Sequence, residues 1–263
     1  MDKKSYVCYD EKNNEILSKV DNYFKNIAIS MGANEYHIPA LISKDVIERC
    51  GYFSTFPQHL TPVSHFEKCE QSNIANTNNI HNDQICNCDL YLTPAACLHL
   101  YPMLENSRID KKVITTKARV YRYENAEFDG STRLWDFTVR EIVFIGPKEF
   151  VVEKLELMKL YTKEFANQLN LDVRISEACD NFYPSRHNLI KMKIQKRNSM
   201  KCECITSIKN KEVAICSYNY HGTHFSKEFN FDKDGEIVTG CVGYGLERWV
   251  SAIKDEMKND KNR

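Results

Sequence analysis

Residues 118–146 read ARVYRYENAEFDGSTRLWDFTVREIVFIG, two strand-like runs either side of a turn-rich loop at 125–132 that contains Asp129-Gly130. An Asp-Gly pair between two such runs is a strong hairpin signal. On the first run Arg122 and Glu124 are two apart and share one face of the pleat. On the second, Arg133, Trp135, Phe137, Val139 and Glu141 have one parity and share a face as well. One surface would then carry two guanidinium groups, two carboxylates and two aromatic rings. Arginine recurring among large rings suits a planar anion such as a nucleotide. The same pattern also fits a solvated hairpin with cross-strand ion pairs, and the hairpin alone does not decide between them.

Around this stretch the chain has 263 residues, within the range of one large domain, and no repeat or linker divides it. A single domain over 1–263 is expected. Lys+Arg and Asp+Glu both number 36, a zero net charge that argues against gripping a long polyanion by bulk electrostatics. No run reaches the ~18 apolar residues of a membrane span, and the N-terminus lacks the apolar core of a signal peptide. Eleven cysteines, an odd count without an export signal, point to reduced thiols and a cytoplasmic location.

Upstream, Ile16, Leu17, Val20, Tyr23, Phe24, Ile27 and Ala28 recur at helical spacing and predict a helix over 11–32. An extended piece at 36–42 leads to Ser43, a cap for a short helix at 44–49 that Gly51 can close. The Asn-rich stretch 71–87, within an excursion of about 70–88, reads as a surface loop. His65, Cys69, His81, Cys86 and Cys88 around it are metal-ligand types, in a spacing that matches no regular zinc pattern. Residues 90–104 predict a strand turning at Thr93-Pro94 into a helix, with Cys97 one turn in; alone, Cys97 reads as a small core residue.

Downstream, a long helix at 147–169 and a strand at 171–175 precede a stretch at 178–201 that is irregular and then basic. Its Lys191, Lys193, Lys196, Arg197 and Lys201 read first as a solvated helix face and second as a docking patch. Strands are expected at 201–208, 212–220 and 229–231, with Asp234-Gly235 turning into another at 236–239. Glycines at 240–245 then introduce a helix whose Arg248 lies on the turn nearest them.

Arg122-Tyr-Glu124, a loop, Arg133 to Phe137, and later Gly243-Tyr-Gly-Leu-Glu-Arg248 resemble motifs 2 and 3 of class II aminoacyl-tRNA synthetases. A weaker likeness to motif 1 falls near Pro39. The resemblance implies an α+β fold, an antiparallel sheet flanked by helices, and a homodimer. Glu212-Val-Ala-Ile-Cys-Ser-Tyr-Asn219 resembles the strand before motif 3 in seryl-tRNA synthetases, departing at Ile215 and at the inserted Tyr218. Thr93-Pro-Ala-Ala-Cys97 stands where ordinary seryl enzymes carry Thr-X-Glu. With Glu141 and Cys241, Cys97 resembles the zinc site of the atypical methanogen-type seryl enzymes and of the short amino acid:[carrier protein] ligases related to them. Gly51-Tyr-Phe, Phe56-Pro-Gln-His-Leu60, residues 139–146 and Ser217-Tyr-Asn-Tyr-His221 are similar to those ligases as well.

The resemblance implies ATP-dependent activation of a small amino acid (glycine, alanine or serine) and its transfer to the phosphopantetheine thiol of a small acidic carrier protein. In that reading Arg122 holds the α-phosphate, Glu124 accepts from the adenine amino group and Phe137 stacks on the ring. Arg248 takes the γ-phosphate, with Arg133 and Gly245 also at the ATP. The catalytic pair is Arg122 and Arg248. Glu212 carries Mg2+, Cys97, Glu141 and Cys241 hold one zinc ion, and Ala95, Ser217 and Asn219 contact the amino acid. Only about 35 residues precede the core, where seryl enzymes carry a tRNA-binding domain, so tRNA is not expected as a partner and no membrane is. A seryl-tRNA synthetase-like enzyme acting on tRNA, or a non-catalytic paralogue that binds nucleotide or amino acid, are the alternatives.

Overall fold

The hairpin forms as a ten-pair antiparallel ladder from Lys112↔Ile145 to Tyr121↔Asp136. The computed structural model describes residues 7–77, 80–123, 129–231 and 235–261. In chain order these form α1 (Glu11–Ser30), β1 (Asn34–Tyr36), β2 (Leu41–Ser43), α2 (Lys44–Arg49), α3 (Tyr52–Thr55), β3 (Pro62–Phe66), α4 (Gln71–Thr77) and β4 (Ile85–Leu92). There follow β5 (Lys112–Tyr121), β6 (Asp136–Pro147), α5 (Lys148–Gln168), β7 (Val173–Glu177), α6 (Arg186–Arg197), β8 (Lys201–Ile208), β9 (Lys211–Gly222), α7 (His224–Glu228), β10 (Ile237–Gly245) and α8 (Leu246–Lys261). The central sheet has the order β1-β5-β6-β10-β9-β8-β7, antiparallel except for β1 on β5. A smaller sheet, β2-β4-β3, stands beside it.

The pleat divides the central sheet into two unlike faces. Ile142 and Phe144 of β6, Val242 and Tyr244 of β10, and Cys216 and Tyr218 of β9 pack under α1, α5 and α8. The intervening Val139, Val143 and Cys241 face a second core with Leu98, Tyr101, Phe225 and Phe229. Gly240 is where α5 presses closest: a Cβ there would sit 2.8 Å from Val151 and 3.0 Å from the Asn219 carbonyl. On the helix side Arg140 is 1% exposed, its Nε 2.7 Å from Asp21 of α1 and its Nη1 2.9 Å from Glu35 of β1.

Several expectations change. The helix predicted within 90–104 is two 3-10 turns, Ala96–His99 and Pro102–Leu104. Pro102 cannot continue an α-helical ladder, and the Cys97 N–H turns to the Glu141 carboxylate 3.1 Å away. The strand expected at 229–231 is the C-terminal turn of α7. There Asn230, at φ 49°, sends its N–H to Lys227 and Phe231 sends its N–H to Ser226, a helix stop with a left-handed residue. That geometry buries Phe229 and Phe231 together and mimics strand alternation. Within 71–87, residues 71–77 are helical and β4 begins at Ile85. The basic segment holds a helix, α6, capped by Ser185. Gly51, at φ 68°, does close α2, and Ser43 caps it. Asp234, half of the expected turn, lies outside the described residues. None of the eleven cysteines is disulfide-bonded, and among the described residues no helix is long and apolar enough to cross a membrane.

Candidate active site

The second face of the sheet floors a cavity of about 1230 Å³, lined by Phe137, Val139 and Glu141, by Cys241, Gly243 and Gly245, and by Ser217, Asn219 and Glu203. Ligand sites typically enclose about 300–1,000 Å³, so this one has room for more than one small molecule. Added Cβ atoms at Gly243 and Gly245 would meet their nearest neighbours at 3.7 and 3.8 Å, ordinary contact distances. Local packing therefore tolerates a methyl group at either position. What these two glycines keep open is the cavity.

Two arginines line it. Arg122 follows β5 directly, its Nε–H donating to the Pro94 carbonyl at 2.8 Å and its guanidinium lying 5.6 Å from the Phe137 ring centre. Arg248, on the first turn of α8, donates from Nε to Thr132 and from Nη1 to Ala214, at 2.8 and 2.9 Å. The loop carrying Thr132 and Arg133 is itself ordered by Asp129. Its Oδ1 accepts from the N–H groups of Ser131, Thr132 and Arg133 at 2.9, 2.7 and 2.9 Å. Burial pushes the Asp129 carboxyl up, but the Thr132 hydroxyl, which donates to Oδ2, and these three N–H groups hold it well below the usual carboxylate range.

Arg133 is exposed at the cavity mouth and precedes the strand, so neither it nor Trp135 sits on the β6 face where alternation placed them. Glu124 lies outside the described residues. Glu212 is at the rim, where its carboxylate meets Arg174 of β7 at 2.6 Å. Ala95 and Gly245 line the cavity.

Deeper in, Cys97, Glu141 and Cys241 are all buried and their ligand atoms lie within 4.8 Å of one another. Three separate elements supply them: the turn after β4, the middle of β6, and β10. Because Gly243 pairs with Glu141, Cys241 sits one pleat along on the same face. Cys241's hydrogen bond pulls the Cys97 thiol down, but burial and the Glu141 carboxylate outweigh it and push Cys97 up. In Cys241 the bond to Cys97, burial and Glu141 all push upward. Two thiols and a carboxylate crowded in this way form a donor set that a borderline-soft divalent cation would relieve. By contrast, among the described residues, no three of His65, Cys69, His81, Cys86 and Cys88 gather in this manner.

Three features here escaped the sequence reading. Asn219 turns its Nδ2 to Ser217 Oγ at 3.3 Å and to Cys241 Sγ at 3.7 Å, an engagement beyond the amino-acid contact assigned to it. His221 Nε2 stands 3.6 Å from the same sulfur, and burial takes this imidazole down to about 4. Its place two residues after Asn219, on the same face of β9, was the available signal. Lys201, counted with the basic segment, turns inward instead: its Nζ meets Asp180 at 2.7 Å and Glu203 at 3.0 Å. Burial would lower the Lys201 ammonium, and the two carboxylates raise it. Burial would raise Asp180, and Lys201 holds it below its ordinary value.

No protein-family model matches the chain. It is 27% identical over 232 residues to amino acid–[acyl-carrier-protein] ligase 1 of Bradyrhizobium diazoefficiens, covering 84% of this chain and 71% of that ligase. Type-2 serine–tRNA ligase of Methanococcus aeolicus is 28% identical over 253 residues, 88% of this chain and 48% of the relative. The Methanocaldococcus jannaschii type-2 enzyme is 34% identical over 170 residues, 60% of this chain and 33% of that one. The chain thus spans half or less of these seryl-tRNA ligases. A crystal structure of M. kandleri SerRS in complex with A. aeolicus tRNASec superposes with a TM-score of 0.78 at 20% identity, over 90% of this chain and 51% of that one. By sequence the chain is similar to two kinds of amino-acid ligase, and its fold, an antiparallel-dominated sheet flanked by helices, is that of a class II seryl-tRNA synthetase core.

Proposed function

We propose that the chain activates a small amino acid with ATP and passes it to the phosphopantetheine thiol of an acidic carrier protein. The observation that carries this reading is one cavity holding both a buried Cys97-Glu141-Cys241 donor set and the anchored arginines Arg122 and Arg248. Zinc at the three donors would leave a fourth position for the substrate's amino group.

The substrate carboxylate is already ionised, so no general base is needed. Its oxygen attacks the α-phosphorus and pyrophosphate leaves. Arg122 and Arg248 offset the charge on the phosphates, and positioning does the rest. Phe137 offers a face for adenine. Glu212 is the carboxylate assigned to Mg2+; it would first leave Arg174, and an exposed pair of that kind contributes only about 0–1 kcal/mol. In the second step the thiol sulfur attacks the acyl carbon, the bond to AMP breaks, and the thiol proton passes to water.

The carrier would dock on α6. Lys191 lines the cavity and Lys201 is half-buried against Asp180, but Lys193, Lys196 and Arg197 are exposed beside Leu189, Ile190 and Ile194, which are 54%, 55% and 50% exposed. A basic, apolar helix face suits an acidic partner. Reversing Lys193, Lys196 and Arg197 should lower carrier loading and leave adenylate formation intact.

The similarity to type-2 serine–tRNA ligases favours a second reading, transfer to tRNA. Amino-acid-dependent pyrophosphate exchange across an amino-acid panel, before and after chelation, tests the first step. Loading assays with carrier protein and with tRNA separate the two acceptors. Absence of exchange with every amino acid would instead mark a binding protein.

A further inference from the structure

Cys241 differs from Cys97 in what surrounds its sulfur. Two side-chain nitrogens approach it, Asn219 Nδ2 at 3.7 Å and His221 Nε2 at 3.6 Å. The other imidazole nitrogen, Nδ1, faces two hydroxyls, Thr239 Oγ1 at 3.1 Å and Tyr101 Oη at 3.4 Å. The ring is held edge-on against Phe225 at 5.1 Å, and Phe225 in turn stacks on Tyr101 at 3.9 Å. A sulfur that binds a cation does so as thiolate, which only accepts hydrogen bonds. Next to such a sulfur, Nε2 must carry the proton, and Nδ1 must accept, from Thr239 as the nearer hydroxyl when Tyr101 gives its one proton to the Cys97 sulfur. Every partner this tautomer needs is in place.

We infer that His221, with Asn219 beside it, is a positioning residue that clamps the Cys241 thiolate by N–H···S hydrogen bonds and thereby sets how strongly this sulfur donates to the cation. The inference rests on the metal reading of Cys97, Glu141 and Cys241 given above. Two thiolates and a carboxylate around a dication leave a buried net charge of −1. N–H donors at one sulfur disperse that charge. They also reduce its donation, which keeps the cation electrophilic enough to hold an amine. Outer partners of this kind typically change metal affinity by about 10–100-fold.

The test uses the full chain loaded with Co2+, whose sulfur-to-metal absorption band reports thiolate donation directly. His221→Leu removes the donor; His221→Gln keeps an amide N–H near the position of Nε2. The Leu variant should shift the band to longer wavelength and lose about 10-fold or more in affinity by chelator competition. It should also raise KM for the amino acid, with that for ATP unchanged. The Gln variant should recover most of each effect. A Leu variant with the wild-type band and affinity overturns the clamp. So does a Gln variant as impaired as Leu while the metal-free far-ultraviolet spectra of all three agree. A wild-type chain that takes up no Co2+ sinks the metal reading itself, and the clamp falls with it.

Discussion

Arg140 and Glu141 are neighbours on β6, both buried, and they point to opposite faces of the sheet. Arg140 enters a helix-covered core and finds carboxylates from α1 and β1 waiting, with Thr115 Oγ1 at 3.3 Å as a third acceptor. Glu141 enters the cavity and meets two sulfurs with nothing opposite in sign among them; its carboxylate accepts from the Cys97 N–H at 3.1 Å and from the two thiols. A buried charge that the fold has already matched is structural. A buried cluster of donors of one kind asks for its counter-charge from outside the chain, and that separates a site from a core ion pair more sharply than burial does.

The largest expected effect would break the helix-covered side. Arg140→Met strands Asp21, which among the described residues then keeps the Lys117 ammonium at 3.3 Å as its one cation, and should cost about 3–5 kcal/mol in denaturant unfolding. Next, Glu141→Gln keeps an acceptor for the Cys97 N–H but removes the ligand charge. Metal uptake and amino-acid-dependent exchange should fall by about 100-fold, equal to about 2.7 kcal/mol, while the unfolding midpoint of the metal-free protein barely moves. If instead both variants unfold to a similar degree, the distinction between the faces is wrong.

Gly243→Ala sharpens it further: a Cβ at ordinary contact distance from Ser217 predicts little change in stability, but a methyl in the cavity, between Glu141 and Ser217, should raise KM for the amino acid by about 10-fold. The smallest effect concerns Asp180. Its folded carboxyl titrates below its unfolded value near 3.9, so the stability it contributes is present above that pH and is lost as pH falls through the folded value. Asp180→Asn should therefore reduce the loss of unfolding free energy as pH falls below about 4, by less than about 1 kcal/mol relative to wild type.

Much of the fold was legible because its signals are local. The helix over α1, the cap at Ser43 and the ladder of β5 with β6 follow from periods of 3.6 and 2 and from short-range capping. Cys97 and Glu141, 44 residues apart, carry no spacing that links them; only the resemblance to synthetase motifs drew them together with Cys241. Nothing in the sequence around Arg140 pointed to its partners at Asp21 and Glu35. Lys201 looked basic and solvated because its partner Asp180 is 21 residues earlier. Phe229 and Phe231 imitated a strand because a left-handed Asn230 also places i and i+2 together. Long-range pairing, of charges above all, was what local pattern left out.

The β6–β10 ladder has a consequence for how preparations of this protein can be judged. Side chains alternate along a strand, so a slip of β10 by one residue would carry Cys241 into the helix-side core and turn Val242 toward Glu141. Secondary structure content would hardly change. The pair of donors would vanish, however, and with it any grip on a cation. Stoichiometric metal uptake would then count correctly threaded molecules, a proofreading signal for strand register that circular dichroism cannot give.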